Sequence, residues 1–146
     1  MKVKNFLNNL DKIAPFFLQE SFDNSGIQFA DLDASVTKIL LSLDVTQDVL
    51  SEALENKANL IITHHPLLFS PLKQITKQKN PLFYQVITHK INLVAFHTNF
   101  DLAENGLNDY VANLLRIKKC VKVPTDRQAR ICILGSLCVP YSPIEL

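Results

Sequence analysis

The sequence predicts an α/β fold in which a mostly parallel or mixed sheet is flanked by helices. Two observations carry the prediction. Apolar runs of strand length, "KILLSLDV", "NLIIT" and "INLVAF", recur along the chain. The segments between them space their apolar residues at helical intervals, which gives repeated strand–helix–strand units and favours parallel pairing. With 146 residues, 47% hydrophobic and 20% charged, the chain has the size and composition of one globular domain with a real core, residues 1–146.

Taken in order, Val3, Phe6, Leu7, Leu10 and Ile13 form an amphipathic stripe, so the chain opens with a helix that ends before Pro15. Asp23, Asn24, Ser25 and Gly26 follow as loop chemistry. Lys38–Val45 is a strand too uniformly apolar to have one wet face. "TQDVLSEALENK" places Val49, Leu50, Ala53 and Leu54 on one side of a helix, and "NLIIT" is the next strand. Asn80 and Pro81 suit the N-cap and first turn of a helix over "PLFYQVITHK". Ile91–Phe96 is a third strand, ending at His97. Asn105-Gly106 marks a turn before a helix on Leu107, Val111, Leu114 and Leu115. "KCVKV" and "RICILGSLCV" supply further strands.

Chemistry-bearing residues collect where the strands end. His64 and His65 close one strand, His97, Asn99 and Asp101 the next, and Asp44 a third. In open α/β sheets that carboxyl rim is where ligands bind. Pro66 biases His65 toward extended backbone, and successive extended side chains point to opposite sides. Adjacent extended histidines are thus poorly placed to share one ion, but each can face its own ion if the backbone bends at the strand end. A carboxylate such as Asp101 would bridge the two. Imidazole with carboxylate suits two divalent transition-metal ions, and zinc, iron, manganese, cobalt and nickel are not distinguished by spacing. Each residue also has a plainer role. A His-His pair can be one packed and one solvated ring, Asp44 can cap the following helix, and His97 can support a ligand instead of being one. Asn99 and Asp101 can shape a turn, and Glu104 a surface. His89, beside Lys90 at a helix end, suits the dipole there.

Other classes find little support. There is no G-x-S-x-G elbow, P-loop or G-x-G-x-x-G in a chain with only three glycines. A net charge of +1, with no aromatic residues among the basic ones of the last third, gives no basis for nucleic-acid binding. The apolar runs are too short for a membrane span, and the first 16 residues lack the uninterrupted apolar stretch of a signal peptide. Cys120, Cys132 and Cys138 have no metal-site spacing and read as reduced thiols, so the expected compartment is the cytoplasm.

"LIITHHPLLF", then "AFHTNFDLAENGLNDYVANLL", with "FDNSGIQ" near the start, resembles the NGG-one-interacting-factor-three-like family, also known as GTP cyclohydrolase 1 type 2 homologues or dinuclear metal-centre proteins. The likeness runs from about Val3 to the chain end. It implies a two-metal α/β protein, in full-length form often a ring-shaped hexamer with metal sites facing an internal cavity. It implies ligands at His64, His65 and Asp101, with His97 in a supporting position, and a metal-dependent hydrolase acting on a nucleotide-like or phosphorylated small molecule. No catalytic residue is assigned. Phe22 stands where the family usually has Trp before Asp-Asn. Family members are longer, and their second half adds a His-x-x-x-Glu pair that these 146 residues lack. "RICILGSLCVPYSPIEL" resembles the start of that half. The chain therefore reads as the N-terminal part of a longer dinuclear-metal protein: a truncated chain, a gene fragment or one piece of a split protein. Two further readings are a non-catalytic metal-binding or regulatory protein working through partner contacts, and an inactive fragment. An unpaired sheet edge and an uncovered apolar face are expected to make the chain a homo-oligomer.

Overall fold

The structure, a computed structural model, describes residues 1–123 and 132–137. In chain order these form α1 (Val3–Asp11), a 3₁₀ turn (Phe16–Leu18), β1 (Gly26–Phe29), β2 (Ile39–Ser42), α2 (Gln47–Glu55), β3 (Leu60–Thr63), α3 (Pro81–Thr88), β4 (Asn92–Ala95), α4 (Thr98–Leu102), α5 (Leu107–Leu114), β5 (Ile117–Lys122) and β6 (Ile133–Leu137). Four strands make one sheet in the order β1-β4-β3-β2. β2, β3 and β4 run parallel, and β1 is antiparallel to β4, so the sheet is mixed and flanked by helices. β5 and β6 pair separately as an antiparallel ribbon. Cys120 and Cys132 on that ribbon are free and exposed, and Cys138 lies outside the described residues. Among the described residues no helix is long and apolar enough to cross a membrane.

Successive residues of the two central strands point to opposite faces, and both faces are covered, so β3 and β4 are buried almost throughout. On β3, Leu60 enters one core cluster with Val3, Leu7, Val94 and Phe96. Its neighbour Ile61 enters another with Leu50, Ala53, Val86 and Leu93. The sheet is thus packed on both faces at β3 and β4, by α1 on one side and by α2 and α3 on the other. Asn92, fully buried at the start of β4, spans the layers: its Oδ1 accepts from the Asp31 N–H at 2.8 Å and its Nδ2 donates to the Asn59 carbonyl at 2.8 Å.

α1 ends at Asp11, before Pro15 as expected; the Asp11 carboxylate accepts from the Phe16 N–H at 2.7 Å and turns the chain through Pro15. Two elements differ from the sequence expectation. β1 lies where only a loop was foreseen; Gly26 begins it at φ +113°, a conformation that costs glycine little. β2 is an edge strand with one covered face: Leu40 packs against the α2 and α3 side, while Leu41 on the other face is 72% exposed.

Asp44 does not cap α2. Thr46 does, its side chain accepting from the Val49 N–H at 3.2 Å. Pro81 opens α3 as foreseen, although Asn80 makes no side-chain capping bond. The Asn105-Gly106 turn is present, with Asn105 at φ 58°.

α2 and α3 end in the same way, and the endings aim the next strands. After α2, the Lys57 N–H bonds to the Leu54 carbonyl at 3.1 Å and the Ala58 N–H to the Ala53 carbonyl at 2.8 Å. After α3, Lys90 bonds to Ile87 and Ile91 to Val86, both at 3.0 Å. These are paired 6→1 and 5→2 closures around a left-handed residue, with the buried contacts Ala58–Ala53 and Ile91–Val86 beneath them. The left-handed positions are held by Lys57 (φ 56°) and Lys90 (φ 55°), where a Cβ is strained. Lys57→Gly and Lys90→Gly are therefore each expected to raise the unfolding free energy by about 1 kcal/mol, read by urea denaturation. A loss of stability in both would contradict the assignment of strain.

Candidate metal centre

The register of the parallel strands assembles the site. Ser42, Thr63 and Ala95 are aligned across β2, β3 and β4, so the residues that follow each emerge side by side. The antiparallel pair Gly26–Ala95 brings the start of β1, and with it Asp23–Ser25, to the same rim. His64 and His65 leave β3 with their N–H groups bonded to the Ser42 and Leu43 carbonyls. The backbone bends there, and the two rings lie 4.9 Å apart. His97 completes a trio, its ring 5.1 Å from His64 and 5.5 Å from His65. One ring nitrogen from each of the three lies within 4.8 Å of the others, a group that could hold a metal ion.

Each histidine commits Nδ1 to an orienting partner. His64 Nδ1 lies 2.9 Å from the Phe96 carbonyl, His65 Nδ1 2.7 Å from Asp44 Oδ1, and His97 Nδ1 2.8 Å from Asp23 Oδ1. A carbonyl only accepts and an ionised carboxylate only accepts, so in each pair Nδ1 carries a proton, and in the neutral ring Nε2 keeps its lone pair. His64 Nε2 lies 3.8 Å from Asp101 Oδ1. That is too long for a hydrogen bond, so both atoms stay free to ligate. This donor set of imidazole nitrogens and a carboxylate, with the far ring nitrogens already engaged, fits a divalent transition metal.

Asp101 reaches the rim because α4 is a single short turn. Asp101 is four residues after His97, and its N–H bonds to the His97 carbonyl at 3.2 Å, so the two side chains share one face of α4. Burial pushes the Asp101 carboxyl above the usual aspartate range, and the nearby His64 and His97 rings pull in the opposite direction. Asn99 is not a rim group. It is fully buried and donates Nδ2 to the Ala14 carbonyl at 2.8 Å, pinning α4 to the end of α1. His89 is the C-cap of α3, away from the cluster.

Asp44, placed at the rim from sequence, holds His65, a role the sequence did not indicate; Asp23, read there only as loop chemistry, holds His97. The Asp23 side chain is fully buried, and it accepts from five donors: the Asn24 N–H (2.7 Å), His97 Nδ1, Ser25 Oγ (2.7 Å), and the N–H (3.1 Å) and hydroxyl of Thr98. Burial alone would push its carboxyl up. The bonds from Thr98, His97, Ser25 and Asn24 outweigh it and hold Asp23 at about 2.

The fold and site together define a mixed α/β protein with a histidine trio at the carboxyl rim of its sheet, a group that could hold a metal ion. A model of the Duf34/NIF3 (NGG1p interacting factor 3) family matches residues 1–143, and the chain belongs to that family. It is 41% identical over 121 residues to a GTP cyclohydrolase 1 type 2 homolog of Clostridium acetobutylicum, covering 82% of this chain and 45% of the relative. A homolog of the same name from Clostridium perfringens is 41% identical over 151 residues, covering 100% of this chain and 58% of the relative. Among solved structures, Staphylococcus aureus protein SA1388 superposes with a TM-score of 0.79 at 35% identity, over 86% of this chain and 36% of that one. Reduced HcgD from Methanocaldococcus jannaschii gives 0.78 at 31%, over 88% and 52%. The chain thus spans about half the length of the curated relatives it matches.

The low Asp23 value has a consequence for stability. An aspartate depressed in the folded state stabilises above its unfolded pKa, near 3.9, and that contribution disappears as pH falls through the folded value of about 2. Urea unfolding of wild type and Asp23→Asn should differ by about 2 kcal/mol or more at pH 5. The gap should narrow between about pH 4 and pH 2. A gap independent of pH across that window would show that the Asp23 carboxyl is not depressed in the folded protein.

Proposed function

We propose that the chain is the metal-binding part of a dinuclear-metal protein, with His64, His65 and Asp101 as ligands for two divalent transition-metal ions. The observation that carries this reading is the shared geometry of the rim histidines, each with Nδ1 engaged and Nε2 free. His64 and His65 are separated enough in orientation, with ring planes 50° apart, for each to serve its own ion, and Asp101 lies against His64 where a carboxylate could bridge. Such a pair, when bound, supplies Lewis acidity for hydrolysis. This chain's own residues orient it: the Phe96 carbonyl holds the His64 ring, Asp44 holds the His65 ring, and Leu41, Leu43, Phe96, Phe100 and Leu107 line an open apolar cavity beside His64.

The reaction class we infer is metal-dependent hydrolysis of a nucleotide-like or phosphorylated small molecule, in the cytoplasm. The names of the curated relatives support the nucleotide and no residue here selects guanine. A second reading is a non-catalytic metal-binding or regulatory protein that works through partner contacts, for which the exposed Leu41 and Leu43 offer an apolar surface. The exposed edge of β2, with Leu41 at 72% and Leu43 at 60% exposure, supports a homo-oligomer under either reading.

Metal content per chain, measured by elemental mass spectrometry on each species resolved by sedimentation, tests both parts. The expected result is about two transition-metal ions per chain in an oligomeric species, lost in the His64→Ala/His65→Ala double variant. A metal-free 16.5 kDa monomer after reconstitution would contradict them. Turnover of a nucleotide panel by the loaded wild type separates the hydrolase from the regulatory reading.

A further inference from the structure

We propose that Asp23 is a positioning residue: it fixes the orientation and tautomer of His97, so that His97 presents the lone pair of Nε2 to the His64–His65 pair as a third nitrogen. The inference deepens the metal-centre reading and rests on it for the role of that nitrogen.

The direction of every proton in the network follows from its neighbours. Thr98 Oγ1 accepts from the Glu20 N–H at 2.9 Å, and Ser25 Oγ accepts from the His97 N–H at 3.2 Å. Each hydroxyl then turns its proton toward Asp23 Oδ2. Asp23 Oδ2 also receives the Thr98 N–H, while Oδ1 receives the Asn24 N–H. A carboxylate surrounded by these donors has no proton to give, so His97 Nδ1 must donate to it. In the neutral ring Nε2 is then left unprotonated, the reverse of the tautomer that a free histidine side chain prefers. The His97 ring stands edge-on to both other rings, at 75° and 84°, and cannot turn over without breaking the Asp23 contact.

The alternative is a purely structural role, because the same bonds tie the Asp23–Ser25 loop to α4. The two are separable. If Asp23 acts through His97, its loss should weaken metal binding only while His97 is present. A scaffold role would weaken binding with or without His97.

The first measurement is a long-range ¹H–¹⁵N correlation spectrum of the histidine rings in the metal-free wild-type chain. His97 is expected in the Nδ1–H form, and an Nε2–H form overturns the proposal without any variant. The second is Co²⁺ titration, followed by absorption and calorimetry, of wild type, Asp23→Asn, His97→Ala and the double variant. Asp23→Asn is expected to lose affinity by about 10- to 100-fold and to alter the Co²⁺ spectrum, with no further loss when added to His97→Ala. An unchanged affinity in Asp23→Asn, or additive losses in the double variant, overturns the proposal. Should Asp23→Asn fail to fold, Thr98→Val removes one donor to the carboxylate and is expected to show a smaller loss that likewise vanishes in the His97→Ala background; a loss that persists there counts against it. A wild-type chain that binds no Co²⁺ overturns the metal-centre reading, whereas the His97 tautomer still decides the Asp23 assignment.

Discussion

In-register parallel pairing of β2, β3 and β4 is the constraint on which the rest depends. Because Ser42, Thr63 and Ala95 sit level, the chain leaves the sheet three times along one line, each time within a residue or two of a histidine or aspartate. A one-residue slip of β3 would exchange Leu60 and Ile61 between the two cores. Burial therefore defends the register, and the register delivers the site. The left-handed closures at Lys57 and Lys90 serve the same end, since they set where β3 and β4 begin. The antiparallel β1 adds the remaining piece by reversing direction at Gly26, which places Asp23 behind His97.

Once the rings are at the rim, their hydrogen bonds decide what they can do. A histidine free to rotate presents either nitrogen. These three do not, because a carbonyl and two carboxylates hold their Nδ1 protons. The supports differ in burial, and the difference has physical weight. Asp44 is open to solvent and holds the half-exposed His65 through a bond that water can replace. Asp23 is sealed from solvent, and its five donors make it a fixed negative charge beneath His97. Such a group stabilises the fold above acidic pH, and it constrains the ring above it.

Much of the scaffold was legible in the sequence, because periodicity and turn chemistry act locally. The strand–helix alternation, the Pro81 start of α3 and the rim position of His64, His65 and Asp101 all follow from residues near one another in the chain. β1 was not legible: four residues between a turn and a loop carry too little pattern, and the strand exists through pairing with β4, nearly 70 residues on. The exposure of Leu41 was hidden for a related reason, since an apolar strand looks the same whether one face or both are covered. Asp23 was read as turn chemistry, and its partners His97 and Thr98 lie 74 and 75 residues away. His97 was placed at the rim from sequence as a support for a ligand, and its i, i+4 spacing to Asp101 is the local signal that pairs the two side chains.

The central claim is that the sheet register presents histidine Nε2 atoms and the Asp101 carboxylate to a shared metal centre. Anomalous diffraction at the cobalt edge, from crystals of the Co²⁺-loaded chain, tests it most directly. Density for metal at the rim, ligated through Nε2 of His64 and His65 and through Asp101, is the predicted result. Metal bound through Nδ1, or held at the exposed thiols of Cys120 and Cys132 while the rim stays empty, would contradict it.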